Sequence, residues 1–279
     1  MHKAAVTGMI GSAAWGFREL DLPSQLAIAR KKGMAYHELG IANGDTDIPL
    51  DATDEALEAV KALYRDYGLS LTCAATGNDF TGADAQNQVQ KVLQVISMCR
   101  KLGVEKLRIF TGFTPLAAMT DDQWKVLLDA LRIVAAEAKM QGVCLCVETH
   151  GAVEPLLDGV RHIRSTTTQL PELLRILEAA DVQLVLDPAN LYAVGETDLE
   201  SLFDAVKHRI GYIHLKDFCP GSGGQLYPCA LGGEGTPWEP LKEKMLQLNV
   251  PLLFEYENPQ DLEAGLDQCM ECWKGVNPQ

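Results

Sequence analysis

Four stretches decide the fold: VCLCVE at 143–148, VQLVLD at 182–187, IGYIHLK at 210–216 and VPLLFEYE at 250–257. Each is an almost unbroken apolar run, the pattern of a strand covered on both faces. Each also carries an ionisable side chain at or near its C-terminal end: Glu148, Asp187, His214 and Glu255. One carboxylate in such a place is an ordinary helix N-cap. Four in consecutive runs, 39, 27 and 41 residues apart, are not explained that way.

Outward from these runs the same rhythm continues. VTGMIGSA (6–13), AYHELGI (35–41), LSLTCAAT (69–76) and VEKLRIF (104–110) are further strand candidates. Stretches of helical period separate them, such as DEALEAVKALYRDYG, with Gly68, Gly103 and Gly142 placed as helix terminators. Eight strands joined by helices imply parallel pairing through right-handed crossovers. At 279 residues this predicts an α/β fold, a (β/α)8 TIM barrel, as a single domain over 1–279. Two connections are long: HGAVEPLLDGVRHIRSTTTQ after the fifth strand and DFCPGSGGQLYPCALGGEGTPW after the seventh. Both belong at the C-terminal mouth, where barrel active sites are built, and the second reads as a lid or substrate-lining loop.

The formal charge of −14 repels phosphate backbones, so nucleic-acid binding is excluded. No apolar run is long enough to cross a bilayer, and the N-terminus lacks a signal-peptide core. The eight cysteines, several inside apolar runs, read as reduced thiols of a cytoplasmic protein.

Three buried carboxylates at one place are prohibitive without a compensating cation. Two Glu, one Asp and one His form a mixed oxygen and imidazole set suited to Mn²⁺, Mg²⁺ or Co²⁺, with Zn²⁺ possible.

ETH at strand 5, LDPAN at strand 6, HLKD at strand 7, LGGEG in the loop after it and FEYE at strand 8 together resemble the xylose isomerase-like TIM-barrel superfamily, the sugar phosphate isomerases/epimerases. The resemblance implies one divalent metal, Mn²⁺ first among the candidates, held by Glu148, Asp187, His214 and Glu255. Glu257 points to the same side as Glu255 and is the alternative ligand. It further implies an isomerase or epimerase acting on a small carbohydrate or keto-acid through a metal-stabilised enediolate, with Glu148 and Glu255 as the acid/base pair. If the enediolate expels a β-hydroxyl, the enzyme is instead a lyase, like inosose or dehydroshikimate dehydratases. A non-catalytic sugar-binding barrel is the distant alternative.

The sequence departs from 3-epimerase relatives at Asn190, where they carry His, and at Lys216-Asp217. The multi-zinc apurinic endonucleases need further His ligands that this chain lacks. Candidate substrate contacts are His150, Asn190, Lys216, Glu38, Arg108 and Glu257. Arg161, His162 and Arg164 form a basic group that either reads an anionic substrate or pairs with Asp158 or Glu154. Trp15 and Phe17 are candidates for an apolar wall. Such barrels are often dimers or tetramers, so a homo-oligomer is compatible.

Overall fold

The computed structural model describes residues 10–233 and 235–275. The barrel strands are Ile10–Ser12, then Tyr36–His37 with Leu39–Gly40, Cys73–Ala75, Lys106–Ile109, Cys144–Glu148, Gln183–Leu186, Ile210–Leu215 and Leu252–Phe254. The expected first strand is seen from Ile10; its Val6–Met9 portion lies outside the described residues. Every strand pairs in parallel with its neighbours, and the first pairs with both the second and the last, Gly11 against Tyr36 and Ile10 against Leu252. The second strand is interrupted at Glu38, whose N–H still bonds Ser12 O at 2.9 Å. The chain itself therefore closes the circuit, giving the single-domain α/β barrel.

Helices follow each strand, and their ends match the chemistry of their sequences. Asp54–Tyr67 begins at Thr53, whose hydroxyl accepts the Ala56 N–H, and ends at Gly68 in the left-handed conformation at φ 65°. Asp121–Gln141 opens with a capping box between Thr120 and Gln123. The main core lies between the strands and these helices. Inside the barrel a smaller cluster of Ala13, Cys73, Cys146, Val185, Tyr212 and Leu253 packs beneath the mouth. Among the described residues no helix is long and apolar enough to cross a membrane, and all eight cysteines are free.

The two long connections are not irregular loops. Ala152–Pro155 pairs with Val160–Ile163, and Asp217–Pro220 with Leu226–Cys229, each antiparallel. Leu226 opposite Val160 joins the hairpins into one four-stranded sheet. The second connection, expected as a lid or substrate-lining loop, is a hairpin whose Phe218, Leu226 and Pro228 line the cavity described below. Asp217 fastens the second hairpin to the chain after it: its carboxylate accepts from the N–H groups of Phe218, Gly232 and Thr236 and from Trp238 Nε1.

Candidate metal centre

Strand alternation places the site. Tyr212, His214, Lys216 and Phe218 occupy every second position of one chain segment, as do Arg108 and Phe110, and Glu148 and His150. Glu148 is the last residue of the fifth strand, and Glu255 follows the eighth directly. Asp187 is the N-cap of the short helix Pro188–Ala193; its Oδ1 accepts the Asn190 N–H at 3.0 Å, which leaves Oδ2 turned to the mouth.

One donor atom from each of Glu148, Asp187, His214 and Glu255 lies within 4.8 Å of all the others, and all four side chains are buried. His214 Nδ1 is 3.6 Å from Glu148 Oε1 and 3.4 Å from Glu255 Oε2; its Nε2 is 3.5 Å from Glu38 Oε1. Neither ring nitrogen makes a hydrogen bond, and Asp187 Oδ2 also makes none. Glu257 is outside the four. Its Oε1 bonds Lys216 Nζ at 2.9 Å, and its side chain is 18% exposed.

Two cations serve this cluster. Lys216 Nζ lies 3.1 Å from Asp187 Oδ2 and 2.7 Å from Glu255 Oε2. Arg108 Nε lies 3.3 Å from Glu148 Oε2. Asn190 Nδ2 donates to Glu148 Oε1 at 3.2 Å. Glu38 accepts from Ala14 N and, at 2.6 Å, from Tyr212 Oη. Counted with His214 as the neutral imidazole that a metal would require, five carboxylates (Glu38, Glu148, Asp187, Glu255 and Glu257) against Arg108 and Lys216 leave −5 + 2 = −3, which a divalent ion would bring to −1; without an ion the carboxylates hold a proton on His214 instead.

Acidities follow that imbalance. Burial drives Asp187 up to about 7, with Lys216 opposing and Glu148 and Glu255 adding to the rise. Burial also works to raise Glu148, but Arg108 and His214 bring it down to about 2. Glu255 falls well below the usual carboxylate range against the same burial, through His214 and Lys216. His214 is raised well above its ordinary value, since Glu255 and Glu38 outweigh desolvation. Unpaired buried nitrogens beside ionised carboxylates are the donor set a hard or borderline divalent cation requires.

A cavity of about 720 Å³ opens beside the cluster, bounded by Arg108, Glu148, Glu255 and Glu257 at its base. His150 lines it; its Nδ1–H donates to Gly151 O, and burial lowers its pKa. The expected basic group divides. Arg161 pairs with Glu154 at 3.1 Å and Arg164 with Glu196 at 3.7 Å, while His162 faces the cavity. Trp15 lines the cavity, but Phe17 is buried in the core at 1% exposure. Glu234 of the LGGEG motif lies outside the described residues.

Sequence reasoning missed Tyr212, Phe110 and Phe218, although each is two residues from a named candidate and so shares its face. It also missed Thr149, whose hydroxyl accepts the Asp187 N–H at 2.8 Å, and Phe113, for which no pattern offered a signal.

A family model described as xylose isomerase-like TIM barrel matches residues 26–275. The chain belongs to this family. No protein of curated function matches it in sequence. Solved barrels of the same shape include the probable 3-DHS dehydratase AsbF of Bacillus anthracis, 16% identical over 92% of this chain and 96% of that one, TM-score 0.73. The 3-keto-D-glucoside 4-epimerase YcjR of E. coli is 17% identical over 95% and 99%, TM-score 0.68. A xylose isomerase-like barrel protein of Mycobacterium smegmatis, in complex with magnesium, is 13% identical over 98% and 97%, TM-score 0.71. At these identities the likeness is one of fold.

Proposed function

We propose that this xylose isomerase-like barrel is a divalent-metal-dependent isomerase or epimerase that removes and returns a proton on a carbon beside a carbonyl of a sugar or related keto-polyol. The observation that carries this reading is the convergence of four buried donor atoms within 4.8 Å, whose three carboxylates share two fixed cations, Arg108 and Lys216. Glu148, Asp187, His214 and Glu255 would hold the ion, and Mn²⁺, as a six-coordinate ion tolerant of imidazole, suits the set. When bound, it supplies Lewis-acid polarisation of a substrate oxygen and stabilises negative charge developing there.

The protein's own groups do the rest. Glu148 and Glu255 face one cavity; one acts as its carboxylate and accepts the carbon-bound proton, while the other enters the step as the acid, having taken a proton from solvent, and gives that proton to the carbon. Asn190 and Arg108 fix the two oxygens of Glu148. Lys216 fixes Glu255 and Glu257 together, and its ammonium also offers a donor to a substrate oxyanion. A relative of the same fold is named as a 3-keto-D-glucoside epimerase, which supports a carbohydrate ligand. The free thiols suit a reducing compartment such as the cytoplasm.

The test is metal content by elemental analysis, followed by incubation of the Mn²⁺-loaded protein with ketoses and keto-polyols in D₂O. Metal bound stoichiometrically, lost in the Glu148→Gln, Asp187→Asn double variant, with deuterium entering recovered substrate or its epimer, is expected. Formation of a conjugated enone with no deuterated epimer would replace the isomerase reading by a lyase. Failure to bind any of Mn²⁺, Co²⁺, Mg²⁺ or Zn²⁺ would end it.

A further inference from the structure

The cavity is far larger than the metal centre needs. At about 720 Å³ it lies in the upper part of the range of about 300–1,000 Å³ typical for drug-sized ligands.

The lining is also uneven. Five rings run in sequence across one side: Phe113 to Phe110 at 5.0 Å between centroids, Phe110 to His150 at 5.1 Å, His150 to His162 at 6.3 Å, and His162 to Phe218 at 4.7 Å. All five line the cavity. The Arg108 guanidinium lies 4.4 Å from the centroid of Phe110, the second ring, and Lys216 Nζ lies 5.7 Å from that of Phe218, the last. The belt thus meets the cations of the proposed metal centre at Phe110 and Phe218, while Phe113 forms its solvent-facing end. Above it the antiparallel sheet contributes Val153, Val160, Leu226 and Pro228 to the same cavity. Phe113 and Val153 are 37% and 42% exposed. Large apolar side chains left open to water around a cavity mark a surface that a ligand covers. Sugar hydroxyls pressed against such a wall would give up water with few partners in return, at a cost in free energy.

We propose, resting on the carbohydrate function above, that the ligand of this site is a conjugate: a sugar or polyol at the metal centre joined to an aromatic ring that stacks on the belt. Offset and edge-on contacts with neighbouring rings of the belt suit a flat aromatic group better than a flexible alkyl chain, which gains no quadrupolar attraction and loses more rotational freedom.

Isothermal titration of the Mn²⁺-loaded protein with phenyl β-D-glucoside and methyl β-D-glucoside tests this. The phenyl compound is expected to bind at least about tenfold more tightly, the equivalent of one good ring contact. Phe113→Ala and Val153→Asp, both at exposed positions, should each shrink that ratio while leaving the melting temperature and methyl glucoside binding unchanged. Phenyl glucoside that fails to bind, binds within about twofold of the methyl compound, or keeps its advantage in both variants would overturn the proposal. Octyl β-D-glucoside equalling the phenyl compound would overturn the aromatic assignment. Repeating the titrations without metal separates this from the function it rests on. An aromatic preference in a protein that binds no metal would sustain the belt and reject the metal-dependent reaction; stoichiometric metal without the preference would do the reverse.

Discussion

The rim of the barrel has two halves that bury the same kinds of side chain in opposite conditions. On strands 1 and 2 the polar groups close on one another. His37 Nδ1 lies 2.8 Å from Ser12 Oγ and its Nε2 lies 2.8 Å from Gln25 Oε1, and Glu38 takes the Ala14 N–H and the Tyr212 hydroxyl. On strands 6 and 7, Asp187 Oδ2 and both nitrogens of His214 have no hydrogen bond. An unmet buried polar atom costs about 1–3 kcal/mol. His37 and His214 are equally buried, so burial does not tell scaffold from site; what separates these two is that both nitrogens of His37 are hydrogen-bonded to neutral partners, whereas those of His214 have no hydrogen bond and face carboxylates.

The sharpest way to break this comparison is to change one residue in each half. Asp187→Asn preserves the bond from the Asn190 N–H but removes a ligand charge. Its Mn²⁺ affinity should fall by more than the roughly 10–100-fold typical of residues that merely support ligands. His37→Gln should leave that affinity unchanged, by titration calorimetry. Equal losses would erase the distinction between the halves. Lys216→Met comes next. It strips the cation from Asp187, Glu255 and Glu257, and without metal should cost about 3–5 kcal/mol. Mn²⁺ should then raise the melting temperature more in the variant than in the parent, because the ion takes over the missing charge.

Much of this site was legible before the structure because strand geometry is local. A side chain two residues from another on a strand shares its face, and an apolar run ending in a charge announces a rim. The eight-strand parallel barrel followed from the same periodicity. The belt of rings was less accessible. Phe110 and Phe218 follow Arg108 and Lys216 by two and could have been found, but His162 reaches them only because Val160–Ile163 pairs with Leu226–Cys229, a contact 66 residues long in sequence from Val160 to Leu226. Long-range antiparallel pairing between connections leaves no short-period trace, and the glycine-rich stretch around it read as a loop. Strand alternation likewise puts Glu255 and Glu257 on one side and does not separate them; Lys216 bonds both, and Glu255 is the one whose oxygen converges with Glu148, Asp187 and His214.

The scaffold half also makes a pH prediction. Burial lowers the His37 pKa from 6.5 to about 4, Glu38 opposing. Ser12, Gln25 and the Phe17 ring surround the imidazole. Between those pH values the unfolded chain binds the proton that the folded one refuses. His37 therefore gives no penalty above pH 6.5, and stability falls as pH drops from 6.5 towards 4, by about 3 kcal/mol in all. Urea unfolding at stepped pH should show a shallower decline in His37→Gln than in the parent; parallel declines would mean that the imidazole is not the group responsible.

The smallest effect is expected where the halves meet. Tyr212 rises from the seventh strand, next to His214 in the inward column, yet its hydroxyl serves Glu38 on the second at 2.6 Å. Tyr212→Phe keeps the ring in the inner cluster and removes only that bond. A hydrogen bond to a charged group is worth about 2 kcal/mol, and the loss should appear in stability. Glu38 retains the Ala14 N–H, so the carboxylate stays on the scaffold side and Mn²⁺ affinity should change little. If instead affinity falls as far as in Asp187→Asn, Glu38 belongs with the ligands: its Oε1 already lies 3.5 Å from His214 Nε2, and freed of Tyr212 it would compete for the same imidazole. The boundary between scaffold and site would then run through Glu38 rather than beside it.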